Sequence, residues 1–163
     1  MTNIDLRVAW KKDDPVLRRD TEAVWDALNT VYPREREDRL KELVAVAYEG
    51  ETAIGACTAR AIECKVLRTH VFYLRAAILP GASHDEALIH LLSAAKNVLQ
   101  PWASAHPDER LKGILLMFDS DAFDALYGEP VVHRGDVELV LTGYTDEGRQ
   151  IRMLWFDDVR LEK

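Results

Sequence analysis

Residues 75–92 read RAAILPGASHDEALIHLL, and they mark a change from strand to helix. The apolar run 76–79 ends at Pro80 and Gly81, which are typical of a loop. From Ala87 onward, apolar residues recur at the spacing of an amphipathic helix. Because the backbone N–H groups at the start of a helix attract anions, a strand–loop–helix junction of this kind is a candidate ligand site.

The rest of the chain predicts strands and helices on both sides of this junction. Short links indicate antiparallel hairpins at 43–64 and at 137–156, and 128–135 reads as irregular. The predicted order is β-α-α-β-β-β-α-β-α-β-β, which is an α/β fold. The predicted strands are 6–10, 43–49, 53–64, 69–79, 113–118, 137–142 and 150–156. The predicted helices are 15–32, ended by Pro33, then 34–42, then 87–100, ended by Pro101, and 120–127.

Length, charge and cysteine content limit the class of protein. The 163 residues contain no repeat and no linker, so a single domain over 1–163 is expected. The formal net charge of -7 argues against nucleic-acid binding, which needs a basic surface. No apolar stretch approaches the ~20 residues that cross a membrane. With no secretory signal and only Cys57 and Cys64, a cytoplasmic protein with reduced thiols is expected.

In three segments, residues 43–57, 78–80 and 123–129, the sequence resembles the GCN5-related N-acetyltransferase (GNAT) superfamily. LVAVAYEGETAIGAC, residues 43–57, resembles its second-to-third strand hairpin. Ile78-Leu79-Pro80 resembles the Val-x-Pro that closes its fourth strand, and FDALYGE, residues 123–129, resembles its helix ending in Leu-Tyr. The order of elements is similar along nearly the whole chain. The resemblance implies a mixed, mostly antiparallel central sheet with helices on both faces.

The resemblance also implies a ligand and a site. Acetyl-CoA or another acyl-CoA would be the co-substrate, and its pantetheine arm would pair with the fourth strand. The loop after Pro80 would donate backbone N–H groups to the pyrophosphate, and Tyr127 would protonate the departing thiolate. The implied cofactor-binding residues are Ala77, Ile78, Leu79, Gly81, Ala82, Ser83 and His84.

The loop itself allows two interpretations. Where the family has an arginine and two glycines, this chain has Ser83, His84 and Glu86. Ser83 and Glu86 fit the S-x-x-E capping box, in which each side chain satisfies a backbone N–H of the other residue. Asp85 and Glu86 would also repel a phosphate. The loop is therefore either a pyrophosphate site or a helix cap that satisfies itself.

Two carboxylates at predicted strand ends are candidate bases for the acceptor amine. Glu49 follows the second predicted strand and Asp119 follows the fifth, although a turn residue and an N-cap explain them equally well. Tyr127 is either the thiolate acid or a packed aromatic. Glu86 and His90 are too few to form a metal site, and no metal is expected.

The sequence thus favours an acyl-CoA-dependent N-acyltransferase acting on an amine of a small molecule or a protein. The alternative is a GNAT-like binding protein without catalysis that has lost CoA, and a donor other than CoA is a third option. No membrane partner is expected. The apolar residues of the closing hairpin, Trp155 and Phe156 among them, could pair two copies in a homodimer.

Overall fold

A computed structural model describes residues 3–81, 83–117 and 128–157. Within these ranges lie eight strands, three α-helices and one short 3-10 helix. The predicted helix 120–127 falls outside them. In chain order the elements are β1 (Ile4–Val8), α1 (Pro15–Leu28), α2 (Pro33–Lys41), β2 (Leu43–Glu49), β3 (Thr52–Cys64), β4 (Thr69–Ile78), α3 (His84–Ala105), the 3-10 helix (Pro107–Glu109), β5 (Leu111–Met117), β6 (Val131–Arg134), β7 (Val137–Tyr144) and β8 (Gln150–Trp155).

The chain divides into two compact units. The first unit contains Met1–Arg60 and Arg75–Leu99, and the second contains Ala61–Leu74 and Gln100–Lys163. The strand order is β1-β2-β3-β4 in the first unit and β3-β4-β5-β8-β7-β6 in the second. β4 and β5 are parallel, whereas β1–β2, β2–β3, β5–β8, β6–β7 and β7–β8 are antiparallel. The predicted mixed, mostly antiparallel α/β fold is confirmed, and the single domain stays a prediction.

The core of the first unit forms around β2. Every residue from Leu43 to Tyr48 is buried, as expected of a strand that is covered on both faces. α1 packs there through residues at helical spacing, with Leu17 in the same cluster as Val46 and Tyr48. Its start is fixed by Asp14, whose side chain accepts hydrogen bonds from two backbone N–H groups at 3.0 and 3.1 Å.

The core of the second unit lies on β4, β5 and β8. Val71, Leu115 and Met153, one from each strand, form a buried cluster. Phe72 adds edge-to-face contacts with Trp102 and Phe156, at ring-centroid distances of 5.8 and 6.3 Å. Such aromatic pairs contribute about 0.5–1.5 kcal/mol beyond their buried area.

Two predicted helix ends are wrong, and both involve proline. α1 ends at Leu28, and the next residue, Asn29, adopts the left-handed conformation. Pro33, which the sequence predicts to end α1, instead begins α2. A proline is well suited to the first position of a helix, since the N–H that it lacks has no partner there. Pro101 lies inside α3, which continues to Ala105. The turn after Pro101 carries Trp102, whose packing on Phe72 favours the continuation of the helix despite the lost hydrogen bond.

The stretch 128–135 is not wholly irregular. It contains β6, which pairs antiparallel with β7 from Val131↔Val140 to Arg134↔Val137. Gly135, at φ 60, begins the two-residue link between these strands. The remaining boundaries shift less: β1 is Ile4–Val8 rather than 6–10, and α3 begins at His84 rather than at residue 87. None of the helices in the described part of the chain combines the length and the apolar character of a membrane-spanning segment.

Candidate functional site

The candidate site residues of the first unit lie mainly at the junction of β4 and α3. The Leu79 N–H donates to the Ile54 carbonyl oxygen at 2.8 Å, which joins the end of β4 to β3. Adjacent residues of an extended strand direct their N–H groups to opposite sides. The Ile78 N–H is therefore directed away from β3, while that of Leu79 is used inside the sheet.

Gly55 allows the close approach of β3 to this part of β4. A Cβ atom at Gly55 would lie 3.2 Å from the Ala77 carbonyl oxygen and 3.2 Å from Ile78 Cγ1. It would also lie 3.4 Å from Leu91 on α3. The Ile-Gly pair in the sequence carries this signal, since a glycine inside a strand often marks a close backbone approach. Gly55 thus supports the candidate site without belonging to it.

α3 begins directly after the loop. The Ser83 carbonyl accepts the first helical hydrogen bond, from the Ala87 N–H at 2.8 Å, so Ser83 occupies the N-cap position. The His84 N–H donates to the Gly81 carbonyl at 3.2 Å. The helix therefore begins where the capping box predicts, whereas the two side-chain hydrogen bonds of that box stay a prediction, and Gly81, Ser83 and His84 lie within one turn of each other. Ala82 is outside the described residues.

The first turn of α3 carries two carboxylates. Asp85 is partly buried, and Glu86 is exposed with its Oε1 at 3.7 Å from His90 Nε2. An anion about 4 Å from one carboxylate is repelled by about 4 kcal/mol at an effective dielectric of about 20. On β4, Arg75 is not a ready counter-charge, because its guanidinium lies 3.5 Å from the Glu42 carboxylate.

Glu49 lies at the exposed end of β2, where it pairs with Thr52 and with Ile4. Because β3 lies between β2 and β4, Glu49 is separated from β4 by two strand spacings, or about 10 Å. A base at that distance from the end of β4 would need at least one water molecule to receive a proton. Asp119 and Tyr127, the other two candidate catalytic residues, lie outside the described ranges.

Two groups in the first unit have strongly shifted pKa values. Burial, together with a hydrogen bond to Asp20, raises the pKa of Tyr48 to about 12. Burial raises the pKa of the Cys57 thiol to about 12, so Cys57 is not a thiolate nucleophile at neutral pH. Among the described residues, no group of three His, Cys, Asp or Glu side chains could hold a metal ion.

The chain is similar to solved structures in its fold. No family model and no curated protein matches it. An acetyltransferase of the GNAT family from Streptococcus pneumoniae aligns with a TM-score of 0.54 at 14% identity, covering 94% of this chain and 97% of that one. NAA60 of Arabidopsis thaliana, solved in complex with acetyl-CoA, aligns with a TM-score of 0.52 at 13% identity, covering 94% and 99%. An N-acyl amino acid synthase from uncultured soil microbes aligns with a TM-score of 0.54 at 11% identity, covering 97% and 93%.

Proposed function

Because the chain has the fold of the GNAT acetyltransferases, we propose that it is an acyl-CoA-dependent N-acyltransferase. The observation that carries the proposal is the hydrogen bond from the Leu79 N–H to the Ile54 carbonyl. It directs the neighbouring Ile78 N–H away from β3, where the amide can donate to the oxygen of a thioester carbonyl. A backbone donor fixed in a sheet stabilises the developing oxyanion without having to reorganise.

The reaction follows from this donor. The acceptor amine attacks the thioester carbonyl, the C–N bond forms, and the C–S bond then breaks to release CoA. Glu49, through water, or Asp119 removes the proton from the amine, and Tyr127 gives a proton to the departing thiolate. The acceptor is an amine of a small molecule or a protein. One of the similar structures is an N-acyl amino acid synthase, a name that places the acyl group on the nitrogen of an amino acid in that protein's reaction.

In this proposal the loop from Gly81 to His84, Ala82 included, receives the pyrophosphate of CoA. The start of a 22-residue helix attracts an anion. The opposing charges are those of Asp85 and Glu86. Glu86 is exposed, and its carboxylate lies beside His90, one turn further along α3. This position supports the proposal that the Glu86 carboxylate stays clear of a bound phosphate. Ala77, Ile78 and Leu79 would flank the pantetheine arm.

The two carboxylates also favour a second candidate function. If their charge prevents the binding of pyrophosphate, the chain is a binding protein with the GNAT fold and without catalysis. A donor that lacks a pyrophosphate is the remaining option, and it would leave the proposed chemistry at Ile78 unchanged.

Thermal unfolding in the presence of ligand separates these options. A ligand at about 100 times its dissociation constant adds about 2.7 kcal/mol to the stability. We expect acetyl-CoA and CoA to raise the Tm, and acetyl-pantetheine, which lacks the pyrophosphate, to raise it much less.

Release of free thiol from acetyl-CoA in the presence of an amine panel then measures turnover. Binding without turnover would favour the binding protein, and an effect of acetyl-pantetheine alone would favour a different donor. If none of the three compounds shifted the Tm, the proposal would be overturned.

A further inference from the structure

A cavity of about 210 Å³ lies in the second unit, between the end of α3 and the start of β5. Its lining includes the apolar residues Ala103, Leu111 and Phe156, which are only 8%, 7% and 6% exposed. Small-molecule pockets usually measure about 300–1,000 Å³. The cavity is therefore sized for a ligand of one ring or a short chain.

Two cations line the same cavity. Arg110 and Lys112 both contribute to its wall, and neither forms an ion pair with any residue that the structure describes. Among the described residues that line the cavity none is Asp or Glu, although the whole chain has a net charge of -7. The carboxylate of Asp157, a described residue outside the lining, is engaged by the Gln100 side chain. The described lining therefore carries two positive charges, which raise the local concentration of anions.

The wall of the cavity is held by hydrogen bonds. The Gln100 side-chain amide donates to Asp157 Oδ2 at 3.3 Å, and its oxygen accepts from the Asp157 N–H at 3.1 Å. The Phe156 N–H donates to the Lys112 carbonyl at 3.0 Å, which fixes the backbone of Lys112 beside the apolar ring. A wall that is ordered before binding reduces the entropy that a ligand must lose.

We propose that this cavity binds a small carboxylic acid with an apolar body. The carboxylate pairs with the guanidinium of Arg110 and the ammonium of Lys112, which both form charge-assisted hydrogen bonds with oxyanions. The hydrocarbon part packs on Leu111 and Phe156. The site lies in the second unit and does not depend on acyl transfer or on CoA, so it can be tested whether or not the chain is an acyltransferase.

Calorimetric titration of the full chain with three probes tests the chemistry of the ligand. Benzoate supplies a ring and a carboxylate, benzamide supplies the same ring without charge, and inorganic phosphate supplies charge without a ring. We expect saturable binding of benzoate in the millimolar range and at least about tenfold weaker binding of the other two. Equal binding of benzamide, equal binding of phosphate, or no saturable binding of benzoate would each overturn the proposal.

Variants locate the binding. Lys112→Met and Arg110→Met should each weaken benzoate binding about tenfold, the effect of losing one charge-assisted contact. Lys65→Met is the matched control, because Lys65 is an exposed cation of the same unit that does not line the cavity. An equal loss in Lys65→Met would mean general charge attraction and would overturn the site.

A third variant blocks the cavity and keeps both cations. Ser104 is exposed on the last turn of α3 and lines the cavity, so Ser104→Trp should fill it without disturbing the core. We expect an unchanged Tm and the loss of benzoate binding. Unchanged benzoate affinity in this variant would contradict the proposed location even if the cation variants had weakened binding.

Discussion

The Tyr48 hydroxyl donates a 2.6 Å hydrogen bond to Asp20 Oδ2 and so joins β2 to α1. Tyr48 is only 1% exposed, and the Arg7 guanidinium lies 4.1 Å from its ring centroid. A hydrogen bond to a charged group contributes about 1.5–3 kcal/mol. This contact is therefore a main polar link between the helix and the sheet in the first unit.

Replacing Tyr48 should change the stability of the protein at high pH. Burial and the hydrogen bond to Asp20 raise the pKa of Tyr48 from 10.0 to about 12, so the folded state holds this proton more tightly than the unfolded state. The resulting stability is complete below pH 10 and is lost as the pH rises towards 12. Tyr48→Phe should lower the unfolding free energy at neutral pH by about 1–3 kcal/mol and flatten its decline in that window.

Urea unfolding at a series of pH values checks this prediction. Tyr144→Phe is the control, because Tyr144 is 62% exposed. If Tyr48→Phe and Tyr144→Phe had the same pH profile, the raised pKa of Tyr48 would not be the cause of the decline in stability above pH 10.

Three glycine-to-alanine variants should show graded losses of stability. At Gly113, a Cβ atom would lie 2.5 Å from the Leu154 carbonyl oxygen, which the backbone cannot accommodate without moving. At Gly55 the nearest atoms are at 3.2 Å, and at Gly143 no atom lies within 4 Å. We expect a loss of more than about 3 kcal/mol for Gly113→Ala, about 1–3 kcal/mol for Gly55→Ala, and none for Gly143→Ala. Denaturant midpoints measure the series, and a different order would contradict the packing described for β3, β4 and β8.

Arg152 should be difficult to replace, because its guanidinium is fully buried in β8. It donates to Gln150 Oε1 at 2.7 Å and to backbone carbonyls that include Glu129 at 2.7 Å and Leu139 at 3.3 Å. Arg152→Met leaves these acceptors without that donor, and Arg152→Lys cannot reproduce the planar fork. Both variants should lose about 2–4 kcal/mol in urea unfolding. Arg34→Met, at an exposed position, is the control, and a loss below about 0.5 kcal/mol at Arg152 would show that the network is dispensable.

The parts of the fold that the sequence predicts are those set by local patterns. β2 follows from a continuous apolar run bounded by a turn, and its prediction as 43–49 is confirmed. β6 is missed because four residues between Pro130 and Gly135 give too short a pattern, and pairing with β7 decides its structure. The continuation of α3 past Pro101 likewise depends on Trp102 packing on Phe72, which lies far away in the sequence.

The candidate site is predictable to a smaller extent. The loop after β4 and the cap at Ser83 follow from residue types in sequence. Two other features of the site depend on how the strands pair, which no single segment specifies. The Leu79 N–H donates to the Ile54 carbonyl, and β3 separates Glu49 from β4. The buried Arg152 also lacks a signal, because an arginine in an alternating strand reads as an exposed residue.

If the chain transfers acyl groups, Tyr127→Phe should reduce turnover more than it reduces binding. Without the hydroxyl, the thiolate leaves unprotonated, and the loss of a positioned acid typically lowers the rate by about 10²–10⁴. The dissociation constant of acetyl-CoA should stay within a factor of about two. Steady-state thiol release and ligand titration supply the two readouts, with Tyr144→Phe as the control. Unchanged kcat would remove Tyr127 from the mechanism.

The carboxylates at the start of α3 should oppose CoA binding while they stabilise the helix. Acidic side chains in a first turn contribute about 0.3–1 kcal/mol to a helix, so Asp85→Asn and Glu86→Gln should each lower the Tm without ligand. The same changes remove repulsion from a bound pyrophosphate, so the CoA dissociation constant should fall, by up to about tenfold for the double variant at low salt.

Glu37→Gln, on the exposed surface of α2 in the same unit, should change neither quantity. A lower Tm with unchanged CoA affinity would mean that the loop caps the helix and does not receive the pyrophosphate. Added salt should reduce the gain in affinity, because screening weakens the repulsion that the substitutions remove.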